Sequence, residues 1–270
     1  MGSKFYITTP IYYVNAAPHI GHSYTTIAAD SIARYQRSVL GKENVRFLTG
    51  TDEHGQKIQK AADEAGVSAQ QFVDTVSQQF RELGKKLAIS NDDFIRTTES
   101  RHIKTVQRAL EIVYANGDIY EDTYAGWYCT PCETFWPESQ LTDRVCPDCK
   151  RPVEKIDEKN YFFRLSKYQA WLIEYIETHP NFIRPHNRRN EVLSFLKLNV
   201  LSDLCISRPH ERLSWGIPLP FSSGHVTYVW FDALVNYISA VGSFDDAGRY
   251  TSAWWNEESQ IVHLIGKDIL

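Results

Sequence analysis

The sequence lacks any long apolar run, since no segment approaches the roughly 18 residues that a membrane-spanning helix requires. It also lacks a secretion signal at its start, where residues 5–9 already have the β-branched and aromatic character of a strand. These two absences argue against an integral membrane protein and against a secreted one. We therefore expect a cytoplasmic location.

Basic charge is also scarce, because 29 Lys and Arg residues face 33 Asp and Glu residues, for a formal net charge of -4. A protein that binds nucleic acid through phosphates alone usually presents a broad basic face. We expect no DNA partner, and any contact with RNA must be local. Repeats and low-complexity tracts are missing as well, whereas the 43% hydrophobic fraction suits a globular enzyme with a substantial core.

The first 115 residues follow the pattern of a parallel βαβ unit. The strand-like residues 5–9 lead into a turn with Pro and Asn, then into a helical repeat from Gly21 that Gly41 ends. Residues 45–49 form a second buried strand. Three further helical segments follow, around 58–65, from the capping pair at 68 and 71, and around 103–113.

The pattern changes between residues 119 and 165, which are rich in aromatics, Pro and Cys with short strand-like runs. Helical periodicity returns at 171–176 and 192–198. Two more strand candidates, 225–229 and 261–265, flank a helix-like segment at 232–241. This order predicts an α/β fold whose sheet is interrupted by an inserted module.

Four cysteines of the insertion form two Cys-x-x-Cys pairs, Cys129 with Cys132 and Cys146 with Cys149. Four thiolates in this spacing are typical of a tetrahedral structural zinc site, and one zinc per chain is predicted. Iron would fit the same geometry. Disulfides are the alternative, which the absence of a secretion signal disfavours. Cys205 stands alone and reads as a small buried hydrophobe.

The tetrad from His19 to His22 lies where the first strand has ended and the first helix begins, which is where open parallel sheets bind ligands. A helix N-terminus presents free N–H groups to an anion, Gly21 allows close approach, and the two imidazoles can donate to phosphate oxygens. These features predict an ATP site in which His19 and His22 stabilise charge during attack by a carboxylate on the α-phosphorus. The alternative is that both histidines only cap the helix or lie in the core.

Residues 9–15 and 18–22 closely resemble the first signature of the class I aminoacyl-tRNA synthetases, and most closely that of the methionyl-tRNA synthetase family. The resemblance continues, in the family's order, through 49–55, 206–208, 215–218, 228–233 and 264–269. It implies activation of L-methionine with ATP and Mg²⁺ to methionyl-adenylate, followed by transfer to tRNA(Met). It also implies that the zinc module is the connective peptide between the halves of a Rossmann-like fold.

The resemblance further implies which residues bind the substrates. The pocket for the methionine side chain would be lined by Ile11, Tyr13, Trp230, Ala233, Leu234, Tyr237 and Ile269. Asp52 would hold the substrate ammonium, while Gly266 and Asp268 would contact ATP at its ribose. A helix starting near Trp230 could turn Trp230 and Tyr237 toward one cavity, since they are seven residues apart. Without the resemblance, both would be ordinary core aromatics, and Asp52 would be a helix N-cap.

Three parts are predicted from this reading: the first half of a Rossmann-like catalytic domain at 1–115, the zinc-bearing connective peptide at 116–224, and the start of the second half at 225–270. The family's second signature, a Lys-Met-Ser-Lys-Ser loop, does not occur in the sequence, nor does a late pocket histidine or a helical anticodon-binding domain. We therefore expect residues 1–270 alone to form little adenylate.

Three other interpretations fit parts of the sequence. Class I synthetases for isoleucine, valine, leucine or cysteine share the histidine tetrad and sometimes a zinc. Those for the branched aliphatic amino acids normally carry a larger editing insertion than 116–224 allows. A nucleotidylyltransferase uses a similar tetrad without a zinc insertion. A zinc-bearing RNA-binding module would need a basic surface, against which the net charge of -4 argues.

Overall fold

The computed structural model describes residues 4–130, 134–136, 138–141, 143–227 and 230–266. The strands are β1 (Lys4–Tyr13), β2 (Val45–Asp52), β3 (Asp93–Arg96), β4 (Ile119–Cys129), β5 (Thr134–Trp136), β6 (Glu154–Phe163), β7 (Leu204–Cys205), β8 (Ser207–Pro209), β9 (Ile217–Leu219), β10 (Ser222–Thr227), β11 (Gly242–Phe244), β12 (Tyr250–Ser252) and β13 (Ser259–His263). The helices are α1 (Ile20–Leu40), α2 (Gln56–Glu64), α3 (Ala69–Lys86), α4 (Ser100–Ala115), α5 (Gln169–Thr178), α6 (His186–Leu198), α7 (Trp230–Leu234) and α8 (Asn236–Ser239). Short 3-10 turns lie at Lys42–Asn44, Glu138–Gln140 and Leu165–Tyr168.

A four-stranded parallel sheet organises the fold, in the order β13-β1-β2-β3. The predicted parallel βαβ unit is therefore confirmed. Strand β1 is longer than residues 5–9, because it continues through the predicted turn at Pro10 with a register shift between Thr8 and Ile11. This irregularity lets a proline sit in the strand without forming every hydrogen bond of the ladder.

Helix α1 covers one face of this sheet, but with a different side from the one that its apolar repeat predicts. Ala29 and Ala33 are buried against apolar side chains of β1 and β2. Ile32 of the repeat packs against the same cluster, but four other members of the repeat are exposed: Tyr24, Ile27, Tyr35 and Val39. The small side chains of Ala29 and Ala33 let the helix axis approach the sheet closely.

Helices α2 and α3 pack at the carboxyl end of the sheet, where Val73, Val76 and Phe80 surround Tyr12. The predicted capping pair is confirmed, since the Ser68 side chain caps the N-terminus of α3 together with Gln71. Tyr6, Leu48 and Ile95 lie on the sheet face opposite to α1, in one apolar cluster with Ala240.

Within residues 116–224, an antiparallel sheet has the strand order β5-β4-β6-β7, and the α5–α6 helix pair lies between β6 and β7 in the chain. Helix α4, which follows β3 in the chain, packs against this sheet in a core that includes Val106, Leu110 and Tyr161. The strand predicted at 225–229 corresponds to β10 (Ser222–Thr227). Its described part pairs with β8 and β9 in a third, antiparallel sheet, and residues 228 and 229 lie outside the described residues.

Among the helices of the described residues, none has the length and apolar character needed to cross a membrane.

Candidate active site

The carboxyl ends of the parallel strands bring predicted site residues to one edge of the sheet. Tyr13 ends β1 and Asp52 ends β2, and the two residues are register partners in the ladder. Helix α1 begins at the same edge, with His19 as its N-cap. The edge therefore combines a buried carboxylate, an aromatic side chain and a helix N-terminus, as an anionic nucleotide and an amino acid together require.

His19 and His22 hold each other at the start of α1. The Gly21 backbone N–H donates to Nδ1 of His19 at 3.1 Å, and the His19 backbone N–H donates to Nδ1 of His22 at 3.1 Å. The two rings stack with their centroids 3.8 Å apart. A neutral imidazole whose Nδ1 accepts carries its proton on Nε2. The histidines do cap the helix, and the same bonds select the tautomer that can donate from Nε2 to a phosphate.

The His22 ring is packed against aromatic side chains. Its centroid lies 4.7 Å from that of Tyr12 and 5.1 Å from that of Phe80. Burial, with a smaller contribution from the neighbouring charge of His19, lowers the pKa of His22 to about 4. His22 is therefore neutral at pH 7, which maintains the donor tautomer.

Asp52 is not a helix cap, so the alternative interpretation of this residue is wrong. It is the last residue of β2 and only 8% exposed, and the N-cap of α2 is Gly55. Its backbone C=O accepts from Val14 N–H at 3.2 Å, which ties it to the end of β1.

The loop that follows Asp52 is fixed by Glu53, whose side chain is fully buried. Both carboxylate oxygens accept from the Arg96 guanidinium, at 2.6 and 2.8 Å. The hydroxyls of Thr51 and Thr98 donate to the same carboxylate, each at 2.6 Å. On the other side of the loop, the Trp215 indole N–H donates to the Glu53 C=O at 2.5 Å. A buried carboxylate held by so many donors makes the loop rigid.

The predicted continuous helix from Trp230 to Tyr237 is wrong, because the chain forms two short helices, α7 and α8, with a turn at Val235. Ala233 and Tyr237 are buried, whereas Trp230 is 45% and Leu234 47% exposed. Of the two aromatics of this segment, Trp230 is therefore the more accessible.

Helix α8 rests on the parallel sheet through Tyr237. The Tyr6 hydroxyl donates to the Tyr237 C=O at 2.9 Å, and the Tyr237 ring lies 4.5 Å from the His263 ring. Burial lowers the pKa of His263 to about 4, and its Nδ1 lies 2.8 Å from the Thr8 hydroxyl. Ile11, another predicted pocket residue, is partly buried against the apolar cluster on this sheet face.

A second buried carboxylate, Asp232, joins the Asp52 loop to α4. Its Oδ2 lies 2.6 Å from Nδ1 of His54, and its Oδ1 lies 2.7 Å from Nε2 of His102. Nδ1 of His102 is 2.9 Å from the Ser239 hydroxyl. Burial alone would raise the pKa of Asp232, but the two histidines outweigh it and hold the value below its ordinary one. Sequence reasoning assigned no role to these residues, and His102 carries no local signal that could have revealed one.

The sulfur atoms of Cys129, Cys146 and Cys149 lie within 4.8 Å of one another. The Cys129 and Cys149 sulfurs are 3.4 Å apart, which is too far for a disulfide between these two residues. Burial raises the pKa of Cys146, but backbone N–H bonds and the neighbouring thiols outweigh it and lower the value to about 7. Three converging sulfurs, one of them readily ionised, fit a thiolate-bound metal. Cys205 lies apart and partly buried, where its thiol contacts the Ser207 C=O at 3.6 Å.

Three predicted site residues lie outside the described residues: the fourth cysteine, Cys132, and the late residues Asp268 and Ile269. Gly266 is the last described residue, three positions beyond the end of β13, and is exposed.

Known proteins resemble this chain in sequence and in fold. A family model described as "tRNA synthetases class I (M)" matches residues 5–157 and 151–270. The chain belongs to the methionyl-tRNA synthetase family. A methionine–tRNA ligase of Clostridium tetani is 54% identical over 267 residues, which cover 98% of this chain and 40% of that relative. One from Rickettsia conorii is 50% identical over 270 residues, 100% of this chain and 51% of the relative.

The solved Mycobacterium tuberculosis methionyl-tRNA synthetase bound by methionyl-adenylate superposes with a TM-score of 0.86 at 42% identity. The match covers 98% of this chain and 52% of that one. The chain thus spans about two-fifths to one half of the length of these members of the methionyl-tRNA synthetase family. Membership distinguishes it from the nucleotidylyltransferases and the free-standing zinc modules considered above.

Proposed function

We propose that the chain supplies the methionine- and ATP-binding part of a methionine–tRNA ligase, which forms methionyl-adenylate and transfers methionine to tRNA(Met). The observation that carries the proposal is the single sheet edge at which the Asp52 carboxylate, Tyr13 and the N-terminus of α1 meet. This edge offers a site for an ammonium group beside a site for phosphates.

In the activation step, the methionine carboxylate attacks the α-phosphorus of ATP, and the bond to the bridging oxygen breaks as pyrophosphate leaves. The nucleophile is already ionised, so the protein must align the reactants and stabilise charge. The Nε2–H groups of His19 and His22 and the first N–H groups of α1 are suited to donate to phosphate oxygens in the transition state. Mg²⁺ accompanying ATP would offset further phosphate charge when bound.

Asp52 would hold the methionine ammonium, because its carboxylate is nearly buried and fixed at the end of β2. The thioether side chain would lie among Ile11, Tyr13, Trp230, Ala233, Leu234, Tyr237 and Ile269. Aromatic rings and aliphatic groups suit a soft, unbranched sulfur side chain. On the nucleotide side, Gly266 and Asp268 would contact the ATP ribose.

The three parts of the chain would have different roles. Residues 1–115 and 225–270 would form the catalytic core, and 116–224 the connective peptide, which is supported by the separate antiparallel sheet in that range. Zinc bound by Cys129, Cys132, Cys146 and Cys149 would stabilise this module. A site closed by four thiolates leaves no position for a reactant, so its role is structural.

A chimera tests the proposal. Residues 1–270 replace the matching part of the Clostridium tetani relative, and ATP–pyrophosphate exchange is measured with methionine, isoleucine, leucine and valine. We expect exchange with methionine alone, followed by charging of tRNA(Met). Within the chimera, Asp52→Asn should weaken the use of methionine far more than that of ATP, because it removes the charge that faces the ammonium.

The matched control is Asp122→Asn, since Asp122 is an exposed carboxylate on β4 in the inserted module. It should exchange at the rate of the unaltered chimera. Exchange with a branched amino acid in preference to methionine would overturn the assignment of substrate.

A further inference from the structure

The two helices that carry four of the proposed pocket residues are too short to fix their own position. Helix α7 has 5 residues and α8 has 4, whereas isolated helices shorter than about 12 residues are marginal in water. Their placement against the Asp52 loop must therefore come from tertiary contacts. Asp232, on α7, makes a contact that reaches that loop.

Asp232 links three separate elements in a fully buried cluster. Its side chain is 0% exposed, as is that of His102, and that of His54 is 5% exposed. One oxygen bonds His54, two residues beyond Asp52, and the other bonds His102 on α4. Ser239 on α8 completes the chain through His102. The cluster thus joins the Asp52 loop, both short helices and the long helix α4.

We propose that the cluster of His54, Asp232, His102 and Ser239 is a positioning device that sets the distance between the methionine ammonium site and the methionine side-chain pocket. The inference rests on the proposed function. Neither histidine is proposed to touch substrate. They act through Asp232, whose neighbour in sequence is the pocket residue Ala233.

The surrounding bonds explain why a shift of Asp232 would be felt by the substrate. The Asp52 loop cannot follow such a shift, because Glu53 is anchored by Arg96 and Trp215. Helix α4 is equally fixed by its burial in the core of the inserted module. Loss of one histidine would leave one oxygen of the buried Asp232 carboxylate without a hydrogen-bond donor. Helix α7 could then move away from Asp52, which stays in place.

Paired substitutions in the chimera test this role. His54 bonds Asp232 through Nδ1, whose place an Asn side-chain amide can take, and His102 does so through Nε2, whose place a Gln amide can take. We expect His54→Ala and His102→Ala to lower kcat/KM for methionine by roughly 10- to 100-fold, as a misplacement on the order of 1 Å does. The KM for ATP should change little, and His54→Asn and His102→Gln should recover most of the loss.

His225→Gln is the matched control, because His225 on β10 bonds Ser222 and the Lys159 C=O and takes no part in the Asp232 cluster. It should leave both KM values unchanged. A merely structural role predicts a different pattern, with a lower melting temperature and fewer active molecules but an unaltered KM for methionine. That pattern, or equal loss in the Ala and amide variants, would overturn the positioning role.

The amide variants keep the test decisive if either Ala variant does not fold. Loss of exchange in the unaltered chimera would instead count against the proposed function, so the two failures are distinguishable.

Discussion

Replacing His19 by Asn separates its capping of α1, which the structure shows, from its proposed donation to a phosphate. Nδ1 of His19 accepts from the Gly21 N–H and caps α1, while Nε2 carries the proton proposed to reach a phosphate. Asn is among the best N-cap residues, because its side-chain oxygen accepts from the same turn. The substitution therefore keeps the cap and removes the donor. His19→Ala removes both.

The two losses differ in size and in the property that reports them. Losing an N-cap costs about 0.5–2 kcal/mol of folding stability. Losing a donor to transition-state charge costs about 2.7–4 kcal/mol of activation free energy, which corresponds to a rate lower by roughly 100- to 1,000-fold. We expect His19→Asn to lose the rate with nearly unchanged stability, and His19→Ala to lose rate and stability together.

Single-turnover adenylate formation by the chimera measures the rate, and urea denaturation of the same proteins measures stability. Saturating ATP and methionine ensure that the rate constant reports the chemical step. An Asn variant with the full rate would show that His19 is only a cap, and the phosphate role would fall. A change confined to the KM for ATP would mean that His19 binds ground state and transition state equally.

The remaining predictions concern stability and the metal. Because burial lowers the pKa values of His22 and His263 to about 4 from the usual 6.5, stability should be complete above pH 6.5 and decline toward pH 4. Denaturation midpoints measured across that range should show a smaller decline in His263→Gln. Elemental analysis should find one metal ion per chain, and Cys146→Ser should lose the ion and unfold the inserted module without abolishing adenylate formation outright. Gly50→Ala should destabilise by about 1–3 kcal/mol or more, because its Cβ would meet the Ile95 C=O at 2.1 Å, whereas Gly84→Ala on α3 has open space and should not.

The sequence predicted the elements that have strong local signals. Helix α3 begins at the predicted Ser68 cap, and α1 ends at the predicted Gly41. The parallel sheet followed from strand, helix and strand in succession. Local hydrogen bonds and chain entropy decide these features, and both can be read from neighbouring residues.

What the sequence could not predict depends on packing across long separations. On α1, Ala29 and Ala33 are buried against the sheet, although neither belongs to the apolar repeat. The close approach of the helix to the sheet decides which face is buried. Helices α7 and α8 are separated at Val235, and each makes a contact distant in sequence, Asp232 with His54 and the Tyr237 C=O with the Tyr6 hydroxyl. His102 meets Asp232 across 130 positions of sequence, and no local pattern around residue 102 announces that contact.

The order of strands in the parallel sheet has a consequence for synthesis of the chain on the ribosome. Strand β1 finds β2 early, but its other edge stays unpaired until β13, some 255 residues after it, has emerged. At about 5–20 residues per second, that wait is roughly 13–50 s. An open strand edge is a template for pairing with other chains. Nascent chains should therefore be most prone to aggregate during that interval, and early folding of the inserted module would shorten the stretch of loose chain that β13 must bring back.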